Sequence, residues 1–323
     1  MTVQHQHNPI IRKLKSDLDS GKLTRRDFLR YAILLGLSGT VASRLAGLLW
    51  PRKTFAAKIH SGQTDIKPMG GPIHCFDAHV HCGIQDMPTL WTFNNYLRHI
   101  NDSPIRGAAM FPFPSQIYDR WNPDFTDTPA WQQQRRRANA YLLTVGIKDF
   151  EVFPYLFIWN DFALTNTTEA YCGVKWHRHA NEPKYHYDDP RCLTAIEEIR
   201  KRNIPVVFEE ELANTVHFVR KLAPDIPVII PHMGFLNGGY RAIVNQGLFE
   251  LPNVYTDTCL ASSGEMIDYI NNYGEKRILF GSDFPFGDPI SELEKVLRLP
   301  IPPEKQAAVA GLNFQRLMSQ RNL

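Results

Sequence analysis

From residue 73 to the C-terminus, short apolar runs alternate with segments of helical periodicity, and that alternation restricts the fold more than any other feature. The runs are Ile73–Ala78, Ile105–Phe111, Val152–Ile158, Tyr171–Trp176, Ile204–Phe208, Val228–Ile230, Asn253–Thr256 and Arg277–Phe280. Amphipathic segments separate most of them: Leu90–Ile100, Thr128–Phe150, Pro190–Asn203, Leu212–Leu222, Tyr240–Leu248, Met266–Tyr273 and Ile290–Leu297. Only the link Asn160–Ala170 is too short for a full helix. Strand-then-helix units repeated in this number, within about 250 residues, predict an α/β fold of the TIM (β/α)8 barrel type. An open doubly wound sheet shares the alternation. No glycine-rich nucleotide loop follows any strand, which removes the usual reason to prefer it. One catalytic-sized domain over 58–323 is expected.

The first 57 residues do not join this pattern. They carry 10 Lys/Arg against 3 Asp/Glu, whereas residues 58–323 carry 26 against 30. The net charge of +3 therefore hides a mildly acidic body, which argues against nucleic acid as a partner. Thr24-Arg25-Arg26-Asp27-Phe28-Leu29-Arg30, followed by the apolar stretch Tyr31–Val41, resembles a twin-arginine export signal. That resemblance implies a signal peptide over 1–57, the twin-arginine export machinery as a partner, and a periplasmic destination. An N-terminal membrane anchor is the alternative, although Arg44 interrupts the apolar run that would have to span. The body keeps five cysteines, an odd number with no C-x-x-C spacing, so buried thiols are expected ahead of bridges or a structural zinc site.

In a barrel, residues at the C-terminal ends of strands converge on one mouth. Here the first strand candidate leads into Asp77-Ala78-His79-Val80-His81, and a strand period of two puts His79 and His81 on one face, able to grip one ion. The fourth leads into Lys175-Trp176-His177, the fifth into Glu209-Glu210-Glu211, the sixth into His232 and the eighth into Asp283. One strand-end histidine is weak evidence; five strand ends carrying ligand or acid–base groups are much stronger.

The D-x-H-x-H at 77–81, the Pro-His-Met-Gly at 231–234 and the F-G-S-D-F-P at 280–285 resemble signatures of the amidohydrolase superfamily, in the branch that includes aminocarboxymuconate-semialdehyde decarboxylase. Gly311-Leu312-Asn313 is similar to that family's closing helix. The resemblance implies that His79 and His81 bind a divalent metal, most often Zn2+. It implies that Asp283 lies at the metal and moves protons, and that His232 polarises the substrate or acts as acid or base. The chemistry agrees, because zinc lowers the pKa of water from about 15.7 toward roughly 7 and Asp283 would accept the proton released.

One departure stands out. The family usually ends its fifth strand in a metal-binding histidine, whereas Pro205-Val206-Val207-Phe208 is followed here by Glu209. Three readings compete, in this order: Glu209 replaces the histidine, His177 moves in from the fourth strand, or the metal is lost. Carboxylate ligation would also admit Mn2+. Glu211 shares the face of Glu209 if the strand continues, and Glu210 should point away. Lys175 is a candidate for a substrate carboxylate or a neighbouring glutamate, or for bridging two metals. Arg135-Arg136-Arg137 reads as a solvated face. His179 and His186 fall in a polar loop, and Trp91, Trp121, Trp131, Trp159 and Trp176 would line a pocket or pack a core or lid. Asp257 either supports the site or ends its strand. The functions in play are a metal-dependent hydrolase of a small-molecule C–N or C–O bond, a non-oxidative decarboxylase of the aminocarboxymuconate or resorcylate type on the same site, and a non-catalytic binding barrel.

Overall fold

The computed structural model describes residues 74–83, 91–163 and 170–322. The expected export signal over 1–57, residues 58–72 and the first residue of the first strand candidate lie outside the described residues. Eight parallel strands follow one another around the sheet in sequence order: β1 (Cys75–His81), β2 (Ile105–Phe111), β3 (Glu151–Phe157), β4 (Gly173–His177), β5 (Val206–Glu209), β6 (Val228–Ile230), β7 (Val254–Asp257) and β8 (Ile278–Leu279). The eighth returns to the first. Ala78 N donates to Phe280 O at 2.8 Å, His81 N to Phe284 O at 2.8 Å and Asp283 N to His79 O at 2.8 Å, with a parallel bridge between Val80 and Phe284. These bonds satisfy strand edges that would otherwise be open, and the expected (β/α)8 barrel is what results.

Parallel strands need crossovers, and helices supply them: α1 (Phe93–His99), α2 (Pro129–Tyr141), α3 (Pro190–Arg202), α4 (Leu212–His217), α5 (Tyr240–Asn245), α6 (Ser263–Tyr273) and α7 (Pro289–Leu297). Their starts are written in the sequence. Asp189 and Asp288 accept backbone N–H groups at the heads of α3 and α7, each followed by proline in the first turn. Ser262 and Glu265 form a reciprocal capping box on α6. Helix α2 ends nine residues before the sequence pattern predicts, at Tyr141 and not Phe150. Thr144 Oγ1 donates to the Tyr141 carbonyl at 2.7 Å, and the chain then runs on through Gly146 without helix.

Two apolar layers hold the barrel. The outer one joins strand residues such as Val174, Phe208 and Ile278 to the helices. The inner one, inside the barrel, includes Phe76, Phe111, Phe153, Tyr155 and Leu279. Each fully buried side chain of this size stabilises the fold by about 1.5–3 kcal/mol. Its floor is closed by α9 (Asn313–Ser319), whose Phe314, Leu317 and Met318 join the inner layer; the short α8 (Pro303–Ala307) precedes it. Phe314 of α9 stacks on Phe76 at 6.1 Å and meets Phe153 edge-on at 5.1 Å. Gly311 is required at this junction, since a Cβ there would lie 2.3 Å from the His74 carbonyl oxygen.

All five cysteines are free thiols, four of them buried, and burial pushes Cys75, Cys82 and Cys192 up to about 12. Arg135 corrects an expectation. It is buried, not solvated: its guanidinium bonds Asp127 at 2.8 Å, Asp161 at 2.6 Å and the Ile117 carbonyl at 2.8 Å, tying the loop after β2 to the loop after β3. Among the described residues, no helix is long and apolar enough to cross a membrane.

Candidate metal centre

His79 and His81 leave β1 two residues apart, and both reach Asp283: each Nε2 lies 3.4 Å from Asp283 Oδ1. What faces what at that point depends on the other ring nitrogens. His79 Nδ1 is 2.8 Å from Asp257 Oδ2, and His81 Nδ1 is 3.2 Å from the Pro112 carbonyl. Carboxylate and carbonyl oxygens only accept, so both Nδ1 atoms carry the proton and both Nε2 atoms present lone pairs. Burial, reinforced by Lys175, holds His79 down to about 4, and burial likewise depresses His81; both are neutral near pH 7. Two nitrogen lone pairs and a carboxylate oxygen thus converge with no hydrogen between them. Bonds of about 2.0–2.2 Å to a tetrahedral ion set ligand atoms roughly 3.3–3.5 Å apart, which is the spacing of each imidazole nitrogen from the Asp283 oxygen here. The residues fit a divalent ion.

Glu209, at the end of β5, sits beside this trio in a different environment. Its Oε2 accepts from Lys175 Nζ at 2.8 Å and lies 3.5 Å from His232 Nε2. Its Oε1 meets His179 Nε2 at 2.6 Å and His177 Nε2 at 3.2 Å. Burial alone would raise this carboxyl, but His177, Lys175 and His179 hold it well below the usual range. Lys175 is fully buried, with Nζ 3.4 Å from His79 Nε2 and 4.7 Å above the Phe111 ring.

His232 and Asp283 both sit in left-handed backbone. The run His232, Met233, Gly234 has φ of 55°, 52° and 81°, and Asp283 has φ of 55°. Such positions persist where surroundings hold them. Asp257 Oδ1 accepts the His232 N–H at 2.8 Å, so one carboxylate at the end of β7 fixes both His79 and His232. Burial would lower His232, yet Asp283, Glu209 and Asp257 outweigh it and raise the imidazole to about 9. Burial would raise Asp283, and His232 with His81 and His79 keeps it low. The two form a coupled acid and base. His232 Nδ1 is buried without a hydrogen-bond partner, which leaves it available to something bound.

His79, His81, Lys175, His177, Glu209, His232 and Asp283 are therefore brought to one mouth. Glu211 is not. The strand stops at Glu209, and Glu211 turns out to cap α4, half-exposed and 2.5 Å from Arg178 Nη1. Glu210 is buried away from the cluster, as expected, on Arg178 at 2.7 Å and Tyr187 at 2.8 Å. The loop after β4 contributes more than its polar sequence foretells. His179 is in the cluster, and Arg120 donates to both His179 Nδ1, at 3.1 Å, and Glu182, at 2.7 Å. Tyr118 OH lies 2.8 Å from Glu182 Oε2 and 3.3 Å from His177 Nδ1. Neither Arg120, Tyr118 nor Glu182 carries a strand-end signal in the sequence.

A cleft of about 850 Å³ opens beside this cluster, lined by Phe125, Trp159, Arg178, Glu182, His186 and Glu211 among others. It excludes His79, His81, His232 and Asp283 and touches the site only through Glu182 and Arg178. Trp159 lines it, stacked on Tyr118 at 4.1 Å, whereas Trp176 is core. Trp121 is exposed, Trp131 packs on Phe125, and Trp91 packs on Phe284.

The family model described as Amidohydrolase matches residues 76–317. A comparison with curated proteins gives no match. Among solved structures, the chain is similar to a 5-carboxyvanillate decarboxylase from Sphingomonas paucimobilis, with 12% identity, TM-score 0.58, and 76% of this chain and 99% of that one covered. It is similar to a dihydroxybenzoic acid decarboxylase from Polaromonas with bound manganese and 2-nitroresorcinol, at 13% identity and TM-score 0.56, covering 76% and 96%. A probable 2-pyrone-4,6-dicarboxylic acid hydrolase from Acinetobacter baumannii shares 12% identity at TM-score 0.52, covering 76% and 99%. At these identities the likeness is one of fold.

Proposed function

The chain belongs to the amidohydrolase family, and from that premise we propose that it is a metal-dependent hydrolase of a C–N or C–O bond in a small molecule. The observation that carries this is a three-donor ion site with a buried histidine beside it, His232, whose ring lies 4.8 Å from that of His79 and whose Nδ1 has no hydrogen-bond partner. His79, His81 and Asp283 would hold the ion, zinc or manganese, which supplies an acidified water and a Lewis acid. Asp283, kept ionised by His232 and His81, accepts a proton from the attacking water. His232, kept protonated by Asp283 and Glu209, hydrogen-bonds the substrate oxygen that gains charge, or protonates the leaving group. Hydrolysis needs both proton movements. Asp257 holds the two histidines in register.

A second reading is non-oxidative decarboxylation, in which His232 or Asp283 delivers a proton to the carbon that loses carbon dioxide. It is favoured by the dryness of the site, where His79, His81, His177, Glu209, His232 and Asp283 are each at most 5% exposed, and by the decarboxylases that share the fold. Binding without catalysis is the weakest reading, since it leaves the acid–base pair without a task. Residues 1–57 are read as an export signal for the periplasm.

Elemental analysis of the purified full chain should find near-stoichiometric zinc or manganese, lost in His79→Ala. Turnover of a panel of lactones, amides and aromatic acids then decides between the two chemistries. A new carboxylate without carbon dioxide supports hydrolysis; released carbon dioxide sinks it in favour of the second reading.

A further inference from the structure

Glu209 occupies the position from which a fifth-strand residue would complete the ion site, and its oxygens are already taken. The tautomer of His179 shows how. Arginine has donors only, so the 3.1 Å contact from Arg120 Nη2 makes His179 Nδ1 an acceptor. His179 must then carry its proton on Nε2, where it points at Glu209 Oε1 across 2.6 Å. A ring so fixed donates to the carboxylate and has no lone pair left for an ion shared with Glu209. On the other side, Lys175 Nζ stands between Glu209 Oε2, at 2.8 Å, and His79 Nε2, at 3.4 Å. An ion joining His79 to Glu209 would have to displace that buried cation. Four nitrogen donors from β4, the loop after it and the segment after β6 surround one carboxylate that is 2% exposed.

We propose that Glu209 is not a metal ligand but the closed counter-ion of Lys175, that Arg120 is the positioning residue that keeps it so by fixing the tautomer of His179, and that the mouth consequently holds one ion, on His79, His81 and Asp283. This rests on the metal-dependent reading above and departs from the expectation that Glu209 replaces the family histidine. The chain keeps its ligand trio on β1 and after β8, and uses the β4–β5 side of the mouth to hold a fixed positive charge beside it.

The test uses the full chain loaded with Co2+, whose visible d–d spectrum reports ligand set without any turnover, together with calorimetric titration of Co2+ and 15N-histidine NMR of the metal-free protein. In Glu209→Gln the stoichiometry should stay at one and the cobalt bands should keep their positions and intensities, while Asp283→Asn loses the bands. Lys175→Met/Glu209→Gln removes the buried charges as a pair and guards against a Glu209→Gln chain that fails to fold; it should keep the wild-type bands too. The NMR should show His179 protonated on Nε2, with that pattern lost in Arg120→Ala and retained in Arg120→Lys. Shifted or weakened bands in the double variant, a stoichiometry of two in the wild type, or His179 protonated on Nδ1 would each overturn the proposal. Absence of any cobalt binding by the wild type would instead overturn the metal-dependent reading, and the NMR would still decide whether Arg120 sets the hub.

Discussion

Asp257 is a single side chain on which two others depend. Its Oδ2 holds the His79 ring by Nδ1 and its Oδ1 holds the His232 backbone N–H. Replacing it with asparagine keeps the shape and offers an amide where an anion was needed. Asp257→Asn should weaken metal binding roughly 10- to 100-fold, as loss of such ring-orienting partners generally does. Competition titration against a chromophoric chelator measures it, and an unchanged affinity would mean that His79 is oriented by packing alone. The residues that reach the mouth from strand ends, His79, His81, Lys175, His177, Glu209, His232 and Asp283, were legible because a barrel sends strand ends to one place and strand spacing fixes their facing. Arg120, Tyr118 and Glu182 were not. They belong to loops, where no period says which side chain turns inward, and only the folded chain shows that Arg120 sets a histidine tautomer from 59 positions away. Asp257 lay in between: the sequence left it as either a support or a strand terminator, and its contacts to His79 and His232 decide for the support.

Among the elements, the short segment Pro231–Asn237 is the most constrained, because three consecutive residues turn left-handed to aim His232. Only Gly234 among them has no Cβ, and the space is filled: a Cβ there would meet Ile243 Cγ1 at 2.4 Å. Gly234→Ala combines backbone strain with overpacking and should cost about 2–4 kcal/mol. Urea unfolding would show it as a lowered midpoint, and a midpoint equal to the wild type would mean that α5 moves aside freely. Strand and helix positions were readable to within a few residues, since period and capping groups mark them. The ends were less so. Helix α2 stopped early at a side-chain-to-backbone bond from Thr144 that apolar periodicity does not encode, and β5 stopped at Glu209, which took Glu211 out of the site.

At the largest scale, the described residues form a barrel with an apolar floor and a polar mouth. Phe314 is the floor's largest contribution from outside the strands, fully buried against Phe76 and Phe153. Phe314→Ala should destabilise the chain by about 3–5 kcal/mol while leaving the mouth's residues in place. Thermal unfolding with and without metal separates the two: the melting temperature falls in both, and the upward shift on adding metal persists. A vanished shift would mean that floor and mouth are not independent. The barrel's seam has another consequence, for the order of events during folding. Asp77 receives the Ser282 N–H from 205 positions further along, and Asp283 reaches His79 and His81 across the same join. Closing so long a loop costs entropy before any contact across it forms. A nascent chain that has not yet reached β8 lacks Asp283, so the trio of His79, His81 and Asp283 exists only once the ring has closed. An ion held by that trio would then act as a latch on a ring already shut, not as its template.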